Sequence, residues 1–185
     1  YRTIRQPVVT IDRELAPHIP NVRSDNEAGG RLATEHLLGR GARRPVLLTA
    51  RTHERNLRER GYRAVVEAAG IEPNVVAVGF QTPEPALSRA VFAALDERTD
   101  WVDAVFATDD LLAAVALEWA EQRGRRVPGD LRVVGFDGTM ALRLALPGLT
   151  TVQQPIAELC ARAVEVLHGL VLAEDGPAPG AVPAV

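Results

Sequence analysis

Apolar runs of strand length alternate along this chain with segments whose apolar residues recur at helical spacing. Such alternation predicts right-handed βαβ units, and therefore an α/β fold with a parallel sheet and helices on both faces. The predicted strands cover Val8–Ile11, Val46–Thr49, Val75–Val78, Ala104–Ala107, Leu131–Phe136 and Thr150–Val152. The predicted helices cover residues 26–38, 54–69, 84–97 and 110–122 and a final segment after Pro155.

Two of these helices show more than periodicity. The first begins with Ser24-Asp25-Asn26-Glu27, a capping-box pattern, and Gly39 or Gly41 can close it. The final helix has one apolar face that should be buried, and Cys160 on that face is expected to be inert core. The residues of this face are Ile156, Leu159, Ala163, Val164 and Leu167.

The composition limits the possible functions. The chain has 185 residues, 46% of them hydrophobic, which is enough for one large domain or two small lobes. Its formal net charge of -3 argues against nucleic-acid binding by this segment alone, because phosphate contacts need a concentrated positive face.

The single cysteine excludes an internal disulfide and suits a reducing cytoplasm. No apolar run reaches membrane-spanning length, and the start at Tyr1 indicates a fragment or a processed product.

Polar residues follow four of the predicted strands. In open parallel sheets, ligands bind beyond the carboxyl ends of the strands, so these segments should lie side by side. Together they offer guanidinium groups, an aromatic ring, a hydroxyl and carboxylates, which suits a small polyhydroxy ligand. The four segments are Ala50–Arg58, Gly79–Gln81, Thr108–Asp110 and Asp137–Thr139.

Each of these candidates also has a purely structural interpretation. Asp137 can cap its own Asp-Gly-Thr turn, and Asp109 can be the N-cap of the helix that begins at residue 110. Phe80 can be a lid over the core. The arginines of segment 51–63 are expected to form mostly a solvated helix face, with at most one or two directed at a ligand.

Signatures of catalysis and of cofactor binding are missing from the sequence. It contains no G-x-S-x-G elbow and no Walker loop, and the adjacent glycines of EAGGR lack the spacing of a dinucleotide fingerprint. The four histidines are scattered, with no pair at metal-ligand spacing. We therefore expect no cofactor and no metal, and a binding module rather than an enzyme.

Four segments carry linked motifs that point to one family. They are SDNEAGGRLATEHLLGRGARRPVLL (24–48), RERGYRAVVEAAGI (58–71), AVFATDDLLAAVALEWAEQRGRRVPGDLRVVGFDG (104–138) and LPGLTTVQQPIAELCARAVEVL (146–167). In sequence and order they resemble the lactose/galactose-repressor (LacI/GalR) family over nearly the whole chain. In that family this region is the effector-binding and dimerising core, with a periplasmic-binding-protein-like fold of two α/β lobes.

The resemblance implies a division of the chain. Residues 1–23 look like the end of the N-terminal lobe, residues 24–151 like the C-terminal effector-binding lobe, and residues 152–173 like the crossover back to the N-terminal lobe. Residues 174–185, rich in Pro, Gly and Ala, are expected to be a loose tail. The family's helix-turn-helix headpiece, its hinge helix and the first strands of the N-terminal lobe are expected to be absent from this chain.

The resemblance also implies a set of ligand-binding residues. Arg58 begins the family's Arg-x-x-Gly-aromatic motif, and Asp137 ends its Val-Val-Gly-aromatic-Asp strand. Thr108 stands where the family often has Asn. Gly138 stands where many repressors have an acid or Asn, whereas sugar-binding proteins of the same fold also use Phe-Asp-Gly. The implied set is Arg58, Phe80, Thr108, Asp109, Asp137 and Ile156.

The resemblance implies the ligand-sensing core of a cytoplasmic bacterial transcription regulator. A small-molecule effector would bind between the two lobes of each subunit of a homodimer and alter its affinity for operator DNA. A pentose, hexose, disaccharide, polyol or nucleoside fits the same polar residues, and Asp137 should meet a ligand hydroxyl or amine rather than a metal. A periplasmic sugar-binding protein of a transporter is the alternative, and an enzyme on a doubly wound sheet is a third hypothesis.

Overall fold

The computed structural model describes residues 6–53, 55–79, 83 and 85–173, and the chain divides into two compact units. The larger unit is Asn26–Gln153, and the smaller unit combines the segments before and after it. The predicted tail at 174–185 lies outside the described residues. The elements in chain order are β1 (Thr10–Ile11), β2 (Asn21–Val22), α1 (Asn26–Gly39), β3 (Pro45–Thr49), α2 (Leu57–Ala68), β4 (Asn74–Ala77), α3 (Ala86–Asp96), β5 (Ala104–Ala107), α4 (Asp110–Gln122), β6 (Arg132–Asp137), α5 (Met140–Ala145), β7 (Thr150–Gln153) and α6 (Ile156–Leu172).

Five parallel strands form the sheet of the larger unit, in the order β4-β3-β5-β6-β7. The chain runs outward from β3 to β4 and then returns to the other side of β3 with β5, so the winding reverses between β3 and β5. A crevice forms at such a switch point, because the loops that leave the two strands turn to opposite faces. The predicted parallel α/β fold is confirmed, and its topology places the carboxyl ends of β3, β4, β5 and β6 at one edge.

Helices cover both faces of this sheet. Helices α1 and α2 pack on one face, where Leu37 and Tyr62 meet Leu47 of β3. Helices α3 and α4 pack on the other face, against a cluster that includes Val46 and Leu48. The alternation of these three consecutive residues of β3 between the faces follows from the strand period of two. Because both faces are covered, all five residues of β3 are buried and the strand reads as a continuous apolar run.

Tyr62 ties α2 to the beginnings of two strands. Its buried hydroxyl donates a hydrogen bond to the Pro45 carbonyl at 2.8 Å and accepts one from the Asn74 amide at 3.1 Å. Burial raises the pKa of Tyr62 to about 12, because the charged phenolate is poorly solvated inside the core.

Helices α1 and α2 cross at two glycines. A Cβ on Gly30 would lie well under 3.0 Å from the Arg58 carbonyl oxygen, and a Cβ on Gly61 would lie well under 3.0 Å from the Glu27 carbonyl oxygen. The two backbones therefore touch without intervening side chains, which fixes the position of α2 along α1.

The smaller unit consists of the parallel pair β1–β2 and helix α6, joined through buried Val22, Leu159 and Ala163. The expected burial of the whole apolar face of α6 is wrong, because strands of two residues each cover only a short part of the helix. Cys160 is exposed, contrary to the expectation that it is core. The apolar residues of the predicted face that are exposed are Ile156, Val164 and Leu167.

Two elements are not predicted by the sequence pattern. Strand β2 is two residues long and directly follows Pro20, and α5 has only six residues, too few for helical periodicity to be recognised. The predicted helix at 54–69 begins later, at Leu57, because Asn56 is its N-cap and accepts a hydrogen bond from the Glu59 amide. None of the helices in the described part of the chain is long and apolar enough to cross a membrane.

Candidate functional site

Arg58 connects three elements at the carboxyl edge of the sheet. From the first turn of α2, its Nε donates to Asn26 Oδ1 at 2.7 Å and its Nη1 donates to the Thr108 carbonyl. Its Nη2 lies 3.1 Å from Asp137 Oδ1, and its Cζ lies 3.7 Å from the centre of the Phe136 ring. The side chains of Arg58 and Asp137 are 19% and 29% exposed, so this ion pair is partly open to solvent.

Asp137 has an unusual backbone conformation at the end of β6. Its φ is 105°, a region that L residues other than Asn and Asp rarely adopt, and such strain is concentrated at functional sites. Gly138 follows with φ 67°, and a Cβ there would lie 2.9 Å from the Cα of Gln153. The glycine that departs from the common repressor pattern is therefore required by the close approach of β7.

Asp109 is the N-cap of α4, and its Oδ1 accepts a hydrogen bond from the Leu112 amide at 2.8 Å. The structural interpretation of Asp109 is confirmed. Burial raises the pKa of its carboxyl group, and the negative charge of Asp137 raises it further, while the Leu112 amide and the Arg58 guanidinium lower it. The two aspartates and Arg58 thus form one electrostatic group.

Asp110 positions the turn that follows Asp137. Its carboxylate is buried, accepts a hydrogen bond from the Thr139 amide at 3.0 Å, and accepts another from the Thr151 hydroxyl. A Cβ on Gly135 would lie 2.5 Å from Asp110 Oδ1, so the glycine of the Val-Val-Gly motif makes room for this carboxylate. It is Asp110 that holds the Thr139 amide, whereas Asp137 pairs with Arg58. Asp110 lies in the candidate segment Thr108–Asp110 of the sequence analysis but is not among its six ligand-binding residues.

Thr108 belongs to the framework of the site. Its side chain is 7% exposed, and its hydroxyl donates to Thr49 Oγ1 at 3.2 Å. Asn56 Nδ2 donates to the same Thr49 oxygen at 3.2 Å. Thr108 thus joins the ends of β3 and β5 at the switch point, and its carbonyl holds Arg58.

The structure brings four of the six predicted ligand-binding residues together, namely Arg58, Thr108, Asp109 and Asp137. Phe80 lies outside the described residues. Ile156 belongs to the smaller unit, where it is the first residue of α6 and is 55% exposed. In the arginine-rich segment, Arg60 pairs with Glu27 and Arg63 pairs with Glu59, as expected for a helix surface, and Arg58 is directed at the site.

Residues 34–184 match the model of a protein family described as the periplasmic binding protein-like domain. The chain belongs to this family. The five-stranded parallel sheet and the polar carboxyl edge described above are therefore features of a periplasmic binding protein-like domain.

Sugar-operon repressors are among the curated relatives of this periplasmic binding protein-like domain. It is 38% identical over 173 residues to the ribose operon repressor of Halalkalibacterium halodurans, a match that covers 90% of this chain and 50% of that protein. It is 36% identical over 170 residues to the sucrose operon repressor of Pediococcus pentosaceus, covering 90% of this chain and 52% of that protein. The chain thus spans about half the length of these relatives. Both are transcriptional repressors rather than enzymes.

A solved structure agrees with the fold. The periplasmic binding protein/LacI transcriptional regulator from Alkaliphilus metalliredigens, complexed with D-xylulofuranose, superposes with a TM-score of 0.80 and 26% sequence identity. The match covers 97% of this chain and 67% of that chain. The resemblance to the LacI/GalR family and the periplasmic-binding-protein-like fold are both confirmed.

Proposed function

We propose that this periplasmic binding protein-like domain is the ligand-sensing domain of a cytoplasmic bacterial transcription regulator and that it binds a small carbohydrate. The observation that carries the proposal is the ion pair of Arg58 and Asp137, which is fixed by three elements and partly exposed at the carboxyl edge of the sheet. The names of the ribose and sucrose operon repressors support the regulator and the sugar class. The D-xylulofuranose complex of a LacI-type regulator supports the same class.

The chemistry of the pair suits a sugar. The Asp137 carboxylate can accept hydrogen bonds from two neighbouring hydroxyls, and each Nη atom of Arg58 carries a second N–H that can donate to a hydroxyl oxygen. Because Asn26, Thr108 and Phe136 already hold the guanidinium in place, little conformational entropy is lost when a ligand binds.

The other predicted residues enter the proposal in different ways. Thr108 acts through the carbonyl that holds Arg58, and Asp109 adds a second carboxylate beside Asp137. Phe80 is proposed to cover the apolar face of the sugar ring, and Ile156 is proposed to pack against the ligand.

The regulator would act on operator DNA as a homodimer, through a helix-turn-helix domain. The relatives, each named a repressor and each about twice as long as this chain, support the DNA-binding part of the proposal. An exposed apolar patch supports the dimer. It consists of Leu111, Met140 and Leu144, which are 52%, 77% and 78% exposed, and the hydrogen bond between the Asp110 carboxylate and the Thr139 amide joins the two helices that carry it.

The test is a calorimetric titration of the chain with D-ribose, D-xylulose and sucrose. We expect saturable binding of at least one sugar, and we expect Asp137→Asn to weaken it by about tenfold or more through the loss of charge-assisted hydrogen bonds. Asparagine is a matched replacement because it keeps the size and tolerates the positive φ of this position. Asp100→Asn, an exposed residue before β5, is the control and should bind as the wild type does.

Two results would contradict the proposal. If none of the three sugars binds saturably, the carbohydrate class is wrong. If Asp137→Asn binds the sugar as tightly as the wild type, the site lies elsewhere.

A further inference from the structure

A pocket lies at the amino-terminal end of the five-stranded sheet, opposite the edge that carries Arg58 and Asp137. Its volume is about 470 Å³, and it is formed by the last turn of α1, the segment before β6 and the beginnings of β6 and β7. Arg132 at its rim begins β6, whereas Asp137 ends that strand. At a rise of about 3.3 Å per residue, the two lie roughly 16 Å apart along the strand. The pocket is therefore separate from the candidate sugar site.

Three basic side chains line this pocket, and none of the described residues that line it is acidic. They are His36 and Arg40 of α1 and Arg132 of β6. Among the residues that the structure describes, neither guanidinium has an ion pair or a side-chain hydrogen bond, and none of the residues lining the pocket carries a carboxylate. Other arginines of this unit do have acidic partners, as Arg126 has in Asp130 at 2.8 Å.

The dipole of α1 accounts for only part of this arrangement. The last carbonyl groups of a helix carry partial negative charge and favour cations nearby, which suits His36 and Arg40. Arg132 comes from the sheet and is half-buried, and its Nη2 lies 3.8 Å from the place that a Cβ on Gly41 would occupy. A half-buried guanidinium without a carboxylate is available to an anion from solution.

We infer that this pocket binds a small molecule that carries an oxyanion, a phosphate or a carboxylate, on an apolar body. The two guanidinium groups supply N–H donors and positive charge that match an oxyanion. Leu37, Val127 and Pro128 supply the apolar wall, and Val127 is 40% exposed. Two positive charges favour a dianion over a monoanion.

The first experiment is a titration of the chain, followed by two-dimensional NMR, with three probes that share one ring. They are phenyl phosphate, benzoate and benzyl alcohol, which carry two, one and no negative charges. We expect saturable chemical-shift changes around Arg132 with phenyl phosphate and with benzoate, and a higher affinity for phenyl phosphate. Benzyl alcohol should cause no saturable change. If benzyl alcohol binds as tightly as the anions, the pocket does not recognise an oxyanion. If benzoate alone binds, the expected preference for phosphate is wrong.

Variants locate the site. Arg132→Gln and Arg40→Gln should each weaken phenyl phosphate binding by about tenfold, the value of one charge-assisted hydrogen bond. The matched control is Arg89→Gln, an exposed arginine of α3 that also has no acidic partner among the described residues. Arg40 is exposed at the end of its helix, so its variant keeps the test valid if Arg132→Gln does not fold.

Two outcomes would overturn the inference. If Arg89→Gln weakens phenyl phosphate binding as much as Arg132→Gln does, the binding reflects general attraction of anions to the protein rather than this pocket. A loss in Arg58→Gln but not in Arg132→Gln would place the anion in the candidate sugar site. Because sugar binding is measured separately with Asp137→Asn, failure of one proposal leaves the other standing.

Discussion

Arg58 Nη2 lies 3.1 Å from Asp137 Oδ1, while the Phe136 ring covers the face of the same guanidinium at 3.7 Å. Neighbouring residues of β6 thus hold Arg58 in two ways, by charge and by stacking. A planar group is needed for both contacts, and the Asn26 and Thr108 oxygens accept from its other two nitrogens. A lysine ammonium could supply the charge but not this geometry.

Arg58→Lys is therefore expected to weaken sugar binding about tenfold to a hundredfold, because two or more fixed charge-assisted hydrogen bonds are lost. The measurement is calorimetric titration with the sugar that the wild-type chain binds. Arg60→Lys is the control, since Arg60 is on the same helix, is 56% exposed and pairs with Glu27. Wild-type affinity in Arg58→Lys would show that only the charge matters.

Asp110→Ala should lower both stability and affinity. It removes the charged acceptor of the Thr139 amide and of the Thr151 hydroxyl, and a hydrogen bond to a charged group contributes about 1.5–3 kcal/mol to stability. Because the Thr139 amide belongs to the turn after Asp137, the loss should also weaken sugar binding. Urea unfolding and sugar titration of the same variant measure the two effects.

Thr151→Val separates the two effects of Asp110. It removes one donor to Asp110 but leaves the bond to the Thr139 amide intact. We expect lower stability with unchanged sugar affinity. An Asp110→Ala protein that binds sugar as the wild type does would refute a positioning role for this carboxylate.

Tyr62 should make the protein sensitive to alkali. The pKa of Tyr62 is about 12 in the folded chain and 10.0 without burial, so the unfolded state ionises first. Its contribution to stability is fully present below pH 10 and is lost as the pH rises from 10 to 12, to a limit of roughly 3 kcal/mol. The 21 basic residues other than histidine are all arginine, so no lysine titrates in this interval.

Urea unfolding at pH 8, 10 and 11, followed by tryptophan fluorescence, measures this loss. Tyr62→Phe is the control: it should be less stable at pH 8 by about 1–3 kcal/mol, because the Asn74 amide loses its partner, but it should lack the extra alkaline loss. The same alkaline loss in Tyr62→Phe would assign the effect to another group.

The exposed patch on α4 and α5 predicts the effect of charge on association. Met140→Glu and Leu144→Glu should convert a dimer into a monomer, because each would bury an unpaired carboxylate in the interface. Light scattering over a range of protein concentrations measures the change. Leu32→Glu, at a position of α1 that is 59% exposed, is the control and should leave the mass unchanged. A wild-type chain that is monomeric at every concentration would contradict this assignment.

Sequence alone predicted the parts of the fold whose signals are local. The continuous apolar runs of β3 and β5 and the capping residue Asp109 determine their own structure. The motif beginning at Arg58 and the strand ending at Asp137 were recognisable for the same reason. Helix α5 is only six residues long, so no helical period can be recognised in its sequence.

Contacts between distant segments were not predictable. Asp109 and Asp110 are neighbours and the same residue type, yet one caps a helix and the other is buried against Thr151. Only the packing of β6 and β7, with Gly135 opposite the carboxylate, distinguishes them. Cys160 was assigned to the core from its helical position, but the partner strands are too short to cover it.

The contact of Gly30 and Gly61 predicts that mutations outside the binding site can impair ligand binding. Any side chain at either position would push α2 away from α1 and move Arg58 with it. On the proposed function, a genetic screen for variants that no longer respond to the sugar should therefore recover substitutions of both glycines as well as substitutions of Arg58. Such mutations would lie at the crossing of α1 and α2. They would displace the Arg58 guanidinium without changing any residue of the candidate site.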